Sequence, residues 1–227
     1  MDDNIHFENL KEQIFSMFGK VEKAFGISLD MLFSKDLDKF AEVESLEKEI
    51  NQLHLDVDDR CFKYIALQRP VATELRFVLA CLKANTDLER IGDQAINIYQ
   101  TGKFLIKNDI PLINEFKRMT DEVTEMLREA FNCFIEQNLD YIKPVLEREK
   151  KINRMKKEIF KLILKNINDA DQVEFQFDFL ILAKIIERTG DHAQNIIEHV
   201  VFLKEGIDIR HSKTAYQELL IGLESQV

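Results

Sequence analysis

Two short acidic motifs contain the residues of this sequence whose types and spacing could do chemistry. Glu89 and Asp93 are four residues apart, and Asn97 follows one turn later in the same predicted helix. Residues at this spacing lie on one helix face, so three oxygen-bearing side chains would be neighbours. Oxygen ligands suit hard cations, or iron in carboxylate-rich bundles. The pattern returns 98 residues later in a second motif, Glu187, Asp191 and Asn195.

The first motif continues an apolar stripe of its predicted helix. Leucines at 75, 79 and 82 lead through Thr86 into Glu89 and Asp93, and a similar stripe leads toward Glu187, with Lys184 interrupting it. A solvated acidic face is the simpler interpretation of one such pair, but a packing seam places the carboxylates where an unpaired charge is costly. We therefore expect compensation, either by a metal ion or by the neighbouring arginines, Arg90 and Arg188.

A glycine follows the arginine of each motif at the same distance, Gly92 in the first and Gly190 in the second. A glycine inside a helix costs about 1 kcal/mol relative to alanine. The close approach of another helix or of a ligand would explain its presence at both positions. No histidine occupies equivalent places, because His192 follows Asp191 whereas Gln94 follows Asp93. This disfavours a histidine-ligated di-iron site, and no residue is singled out as a catalytic base, so we predict that the protein is not an enzyme.

The elements that must position these motifs are all helices. Apolar residues recur at helical spacing almost throughout, and only 7 glycines and 3 prolines are available for turns. We predict Pro70 in the first turn of the third helix, a break with a hinge at 108–111, and helix-capping residues within 168–171. After Gly206 the sequence is ambiguous, with one short helix from Lys213 as a candidate. The six predicted helices span 4–34, 36–68, 70–107, 112–137, 139–167 and 172–205.

The two halves of the chain repeat each other. Residues 89–93 correspond to 187–191 at an offset of 98, whereas 47–51 correspond to 149–153, and 37–38 to 139–140, at an offset of 102. Three matching blocks in the same order indicate duplication of a three-helix unit. We predict an all-α fold of two tandem three-helix bundles related by internal duplication. Their predicted extents are 1–109, and 110–227 with a short C-terminal tail.

Charge and apolar content restrict the function classes. The net charge of −10 argues against generic binding to nucleic acid. The three cysteines lack C-x-x-C spacing and are predicted to be buried thiols in a reducing compartment. The N-terminus is acidic, and no apolar run approaches the roughly 20 residues of a membrane helix. We therefore expect a soluble cytoplasmic protein without direct membrane insertion.

A longer pattern around the first motif resembles the signature of the PhoU family. It consists of Arg69-Pro70-Val71-Ala72, then Leu75-Arg76, then the block from Thr86 to Asn97, and it returns in degenerate form in the second half. The resemblance covers roughly residues 5–205. It implies a negative regulator of phosphate transport and of the phosphate-starvation two-component response. Such proteins act with the ATPase subunit of the phosphate ABC transporter and with the phosphate-sensing histidine kinase, and they tend to form homodimers.

The resemblance also implies bound metal, notably a multinuclear iron cluster, with zinc and manganese as alternatives. The family places acidic residues, often as D-x-x-x-D, in the helix that precedes each motif. Here those positions contain Glu47 with Asn51, and Glu149 with Asn153, so asparagine replaces the second carboxylate both times. An amide is a neutral and weaker ligand. The predicted metal ligands are therefore Glu47, Asn51, Glu89, Asp93 and Asn97 in one half, and Glu149, Asn153, Glu187, Asp191 and Asn195 in the other.

Equivalent helices of the two halves differ in charge. Residues 36–59 contain nine acidic and two basic residues, whereas 148–165 contain eight basic and two acidic residues. Two solvated faces would explain this difference, and so would a docking surface or complementary contacts between subunits. The residues predicted to bind a partner are Arg148, Lys150, Lys151, Arg154, Lys156 and Lys157.

Two other function classes remain open from the sequence. A carboxylate bundle could be a metal-dependent enzyme or a metal-storage protein, and an enzyme would need an open coordination position in a pocket with paired acid and base groups. A purely structural coiled coil is the third possibility. The repeated glycines and the carboxylates in packing seams disfavour it.

Overall fold

The computed structural model describes residues 2–165 and 173–210. Within these ranges the chain contains helices and no strand, which confirms the all-α fold. The predicted capping residues within 168–171 and the candidate helix from Lys213 lie outside the described residues. The described ranges contain six long helices: α1 (Asp2–Ser34), α2 (Phe40–Gln68), α3 (Ala72–Lys107), α4 (Asn114–Glu136), α5 (Ile142–Lys165) and α6 (Val173–Glu205).

The internal repeat is visible at the entry to the second helix of each half. A single 3-10 turn precedes α2 (Leu37–Lys39) and α5 (Leu139–Tyr141). Asp36 caps the first turn by accepting a bond from the Asp38 N–H at 3.1 Å. Asn138 does the same for the Asp140 N–H at 3.0 Å. The short blocks that match in sequence thus form the same local structure.

Each half is a three-helix bundle, and the two bundles pack together. α1, α2 and α3 contact one another, as do α4, α5 and α6, while the most extensive pairing among the described helices joins α3 to α6. Phe18 of α1 contributes to this joint, since its ring lies 4.7 Å from that of Phe131 and 5.1 Å from that of Phe134. Buried apolar residues therefore form one core that continues from the first bundle into the second.

The position of a helix in this arrangement explains its sequence. α4 buries one apolar face, with buried residues spaced three and four apart from Phe116 to Phe134. α3 packs against both helices of its own bundle and against α6, so it has buried residues on several sides. This central position is what brings the acidic motifs into helix seams. The three cysteines are buried free thiols, as predicted.

The predicted start of the third helix was wrong. Pro70 lies before α3, which begins at Ala72, because Arg69 adopts a left-handed conformation with φ of 50° and Val71 is extended. A residue that precedes proline is disfavoured from helical geometry, so the chain turns here before the helix can begin. The predicted break at 108–111 is confirmed, since α3 ends at Lys107 and α4 begins at Asn114. The division into domains at residues 109 and 110 stays a prediction.

Candidate functional site: two acidic seams and the joint between them

The first acidic seam lies where α2 and α3 meet. Glu89 and Asp93 are partly buried, and the guanidinium of Arg90 lies 3.3 Å from Glu89 and 3.4 Å from Asp93. Asn51 of α2 donates a hydrogen bond to Glu47 at 2.5 Å. Glu47, Asp93 and Asn97 share the wall of an open cleft of about 380 Å³. The structure thus brings oxygen donors from both predicted helices to one cleft, with an arginine beside the α3 carboxylates.

The second seam, between α5 and α6, holds its glutamate differently. Glu187 is almost fully buried and accepts from the ammonium of Lys156 on α5 at 2.5 Å and from that of Lys184 on α6 at 2.6 Å. Burial alone would raise the pKa of Glu187, but the hydrogen bonds and charges of the two lysines outweigh it and hold this pKa below its ordinary value. Compensation is therefore present, although it comes from these lysines and not from Arg188, which is exposed.

The remaining carboxylates of the second seam are less favourably placed. Partial removal of water, and then the nearby Glu187 charge, raises the pKa of Asp191. Burial followed by the Asp191 charge raises the pKa of Glu149, which also accepts a hydrogen bond from Asn153. Asn195 turns away from this group and donates to Asp87 of α3 at 2.9 Å. The five residues predicted as one ligand set are thus divided between two environments.

A buried polar cluster at the joint of the two halves was missed by sequence reasoning. One carboxylate oxygen of Asp87 in α3 is hydrogen-bonded to His192 Nδ1 at 2.8 Å, and the other is hydrogen-bonded to His199 Nε2 at 2.9 Å. Asn195 completes the set. Burial opposes the ionised form of Asp87, but hydrogen bonds from the two histidines and from Asn195 lower its pKa. The sequence contained one signal for this cluster, because His192, Asn195 and His199 are spaced at i, i+3 and i+7 and so lie on one face of α6.

An open cleft of about 660 Å³ lies beside this cluster. Its wall combines Lys83 and Arg210 with Asp87, Asp191 and Glu198, so charges of both signs face it. In the described ranges no group of three or more histidine, cysteine, aspartate or glutamate side chains is arranged to hold a metal ion. None of the described helices is both long and apolar enough to cross a membrane.

The basic stretch of α5 divides into two sets. Arg148 pairs with Glu122 at 2.8 Å and with Glu129 at 2.9 Å, Lys151 also pairs with Glu122, and Lys156 pairs with Glu187 as described. These three cations are used inside the second bundle. The other three predicted partner-binding residues are exposed and lie at i, i+4 and i+7 on the outward face: Lys150, Arg154 and Lys157.

Helix packing explains one of the two motif glycines directly. A Cβ at Gly92 would lie 3.2 and 3.3 Å from two carbons of Ile50 on α2, closer than ordinary packing. At Gly190 the nearest atom, the sulfur of Met126, would be 3.6 Å away, which is ordinary contact. The first seam therefore needs its glycine for close helix approach, whereas the second seam has room for a methyl group.

The comparisons with known proteins agree with the repeat. The model of the PhoU domain matches the chain twice, over residues 14–101 and 116–200. The chain belongs to the PhoU family. It is 27% identical to a phosphate-specific transport system accessory protein PhoU homolog of Thermotoga maritima, over 99% of this chain and 97% of that protein. It is 28% identical to the phosphate-specific transport system accessory protein PhoU of Escherichia coli, over 98% of this chain and 93% of that protein.

A solved structure of the family has the same architecture as this chain. The crystal structure of PhoU from Pseudomonas aeruginosa superposes with a TM-score of 0.85 at 26% identity, covering 90% of this chain and 99% of that one. The predicted relationship to the PhoU family and the predicted helical fold with a duplicated unit are both confirmed. What the acidic seams of this particular chain bind stays a prediction.

Proposed function

We propose that this chain is a regulatory accessory protein of phosphate transport that has no catalysis of its own. It restrains phosphate uptake and the phosphate-starvation two-component response when phosphate is plentiful. The observation that carries the proposal is the match along nearly the whole length with accessory proteins of the phosphate-specific transport system. Both copies of the domain are present.

Deletion of the gene tests the regulatory role. In cells that normally carry this protein, loss of the chain should derepress phosphate-starvation genes during growth in plentiful phosphate, and a plasmid copy should restore repression. A transcriptional reporter measures the response, with phosphate-limited cells as the fully induced reference. Unchanged reporter expression in the deletion strain would contradict the proposal. The proposed direct partners are the ATPase subunit of the phosphate transporter and the phosphate-sensing histidine kinase, with the chain acting as a homodimer.

The exposed basic residues of α5 are a proposed docking surface for an acidic face of such a partner. Lys150, Arg154 and Lys157 project from one side of the second bundle, and Lys161 continues the same line. Exposed charges are screened within about 10 Å at 0.1 M salt, so affinity for the purified ATPase subunit should fall as salt rises.

Reversing Arg154 and Lys157 to glutamate should weaken binding and remove most of that salt dependence. The control makes the same change at Lys117 and Arg118, two exposed residues of α4. It alters the net charge by the same amount but lies outside the proposed docking surface. If the two double variants weakened binding equally, the effect would be one of net charge alone, and the proposed docking surface would be wrong.

Metal binding is a separate proposal, and the two seams suit it unequally. In the first half, Glu47, Asp93 and Asn97 line one open cleft and Glu89 lies one helix turn from Asp93, so oxygen donors from two helices could hold iron, manganese or zinc. A bound cation there would neutralise carboxylates that otherwise repel one another. In the second half both oxygens of Glu187 already receive ammonium groups, and Asn195 is bonded to Asp87. The donors of the second seam do not suit a metal cluster.

A further inference from the structure

The difference between the seams comes from two positions that the repeat allows to be compared directly. At the offset of 102, Lys156 corresponds to His54, and at the offset of 98, Lys184 corresponds to Thr86. Neither first-half residue neutralises Glu89. The imidazole of His54 lies 3.3 Å from the backbone oxygen of Asn85, and the Thr86 hydroxyl donates to its own helix.

Both ammonium groups are placed where a metal ion would have to bind. A ligating carboxylate oxygen lies about 2 Å from its metal, so a divalent ion on Glu187 would be within a few ångströms of both lysine nitrogens. The repulsion between these cations would have to be overcome before the ion could bind. Lys156 is only 19% exposed, which keeps its ammonium in the seam.

We propose that Lys156 and Lys184 are built-in cations that replace a bound metal ion in the second seam. The two motifs of this chain have accordingly diverged: the second is neutralised by the protein itself, and any metal that the chain binds is confined to the first. The proposal does not depend on the regulatory function, because repression of starvation genes and the cation response of the seams are measured separately.

Removing the lysines should create a cation requirement. In the double variant Lys156→Met with Lys184→Met, Glu187 loses both of its ion-pair partners, and Asp191 loses two nearby positive charges. Millimolar Mn²⁺ added to the chelator-treated full chain should then raise the melting temperature by about 5 °C more than it does in the unmodified chain. The bound manganese per chain, measured by elemental analysis, should rise by about one equivalent. Adding Asp191→Asn to the double variant should abolish both gains.

The matched control replaces Lys157 and Lys161 by methionine. These exposed residues of the same helix carry the same charge but do not contact Glu187, so their loss should leave the manganese response unchanged. If the double variant does not fold, Lys184→Met alone is informative, because that side chain is half exposed and its loss is less damaging. The reciprocal variant His54→Lys with Thr86→Lys should lower any manganese response of the first seam.

Two results would overturn the proposal. One is a manganese response of the unmodified chain that Asp191→Asn removes, since the second seam would then bind metal despite its lysines. The other is a lysine variant that folds and gains no more manganese response than the Lys157 and Lys161 control.

Discussion

Glu89 and Glu187 occupy equivalent positions in the two halves, yet they differ in burial and in ion pairing. Glu89 is partly exposed beside Arg90, one helix turn before Asp93, which lines an open cleft. Glu187 is almost fully buried and is held by ammonium groups from two helices. The backbone seam is common to both, so the difference lies in the side chains opposite. A duplicated motif therefore does not by itself determine whether its carboxylate is available to a ligand or is used in an ion pair.

The contrast extends to the helices that join the halves. α3 contributes Asp87, whose counterpart at the offset of 98 in α6 is the apolar Ile185. α6 contributes two histidines and Asn195 to the same joint. Each half thus supplies a different part of one buried polar cluster. The repeat is symmetric in its backbone and asymmetric in the contacts that fix one bundle against the other.

The largest effect should follow from removing the charge at the joint. Asp87→Asn keeps the shape of the side chain but leaves His192 and His199 without a carboxylate acceptor. We expect a loss of about 3 kcal/mol in the free energy of unfolding, the upper end of the effect of a hydrogen bond to a charged group, because two histidines lose their carboxylate acceptor. Denaturant titration measures it. Asp121→Asn, an exposed change on α4, is the control and should be nearly silent.

The dependence on pH gives this prediction a direction. The folded protein lowers the pKa of Asp87, so the carboxylate stabilises the fold above its ordinary pKa of about 4 and loses that contribution as the pH falls through the lowered value. The difference in stability between the unmodified chain and Asp87→Asn should therefore shrink in strong acid. A difference that stays constant down to low pH would show that packing of the side chain, and not its charge, is responsible.

The second largest effect compares the two glutamates directly. Glu187→Gln leaves two ammonium groups facing a neutral amide in a buried seam, and it should cost about 2 kcal/mol. Glu89→Gln removes a partly exposed carboxylate whose ion pair is at the surface, and it should cost less than about 0.5 kcal/mol. Thermal and denaturant unfolding of the two variants measure both values. Equal losses at the two positions would contradict the contrast between the seams.

The sequence predicted the helices and the repeat well, because these depend on patterns within the chain. Apolar spacing and the scarcity of turn residues were enough for the helices, and matching blocks such as 89–93 with 187–191 revealed the duplication. The seam between the second and third helix of each half also followed from the stripe that runs into Glu89. The start of α3 was misplaced, since it depends on the backbone conformation of Arg69 and Val71.

The pairing of charges across helices could not be predicted in the same way. Lys156 and Glu187 are 31 residues apart, and Asp87 and His199 are 112 residues apart, so neither pair has a local pattern. The compensation was expected from a metal ion or from Arg188, which is adjacent in sequence, whereas the structure gives that role to Lys156 and Lys184. His192 was judged by its lack of a counterpart in the first half, although its partner lies across the joint.

The two motif glycines should respond differently to replacement by alanine. Replacing a helical glycine by alanine gains up to about 1 kcal/mol when space is available. Gly190→Ala has that space and should stabilise the protein, whereas Gly92→Ala would press against Ile50 and lose part or all of the gain. Thermal unfolding compares them, and a rise of about 2–4 °C is expected for Gly190→Ala in a domain of this size. The combination of Gly92→Ala with Ile50→Val should recover stability if crowding is the cause. Similar gains for Gly92→Ala and Gly190→Ala would show that the two seams are equally open.

The smallest effect concerns Asp191, which forms no ion pair with Lys156 or Lys184, because both lysines pair with Glu187. Its like-charged neighbour Glu187 is four residues away, and such pairs destabilise a helix by up to about 0.5 kcal/mol. Asp191→Asn should therefore stabilise the protein by about this amount at neutral pH, whereas Asp93→Asn should gain less because Arg90 lies beside Asp93. Urea titrations of both variants against the unmodified chain measure this difference.

The contribution of Asp191 to stability should depend on pH in the opposite direction to that of Asp87. The folded protein raises the pKa of Asp191, so the ionised carboxylate costs stability at neutral pH, and this cost disappears as the pH falls through the raised value toward the ordinary value of about 4. The advantage of Asp191→Asn should therefore be greatest near pH 7 and absent near pH 4. It should also be the same with chelator and with Mn²⁺, because the lysines already occupy the place of a cation. An advantage that reverses when Mn²⁺ is added would mean that Asp191 is a metal ligand in the second seam, and the two halves would then be functionally alike.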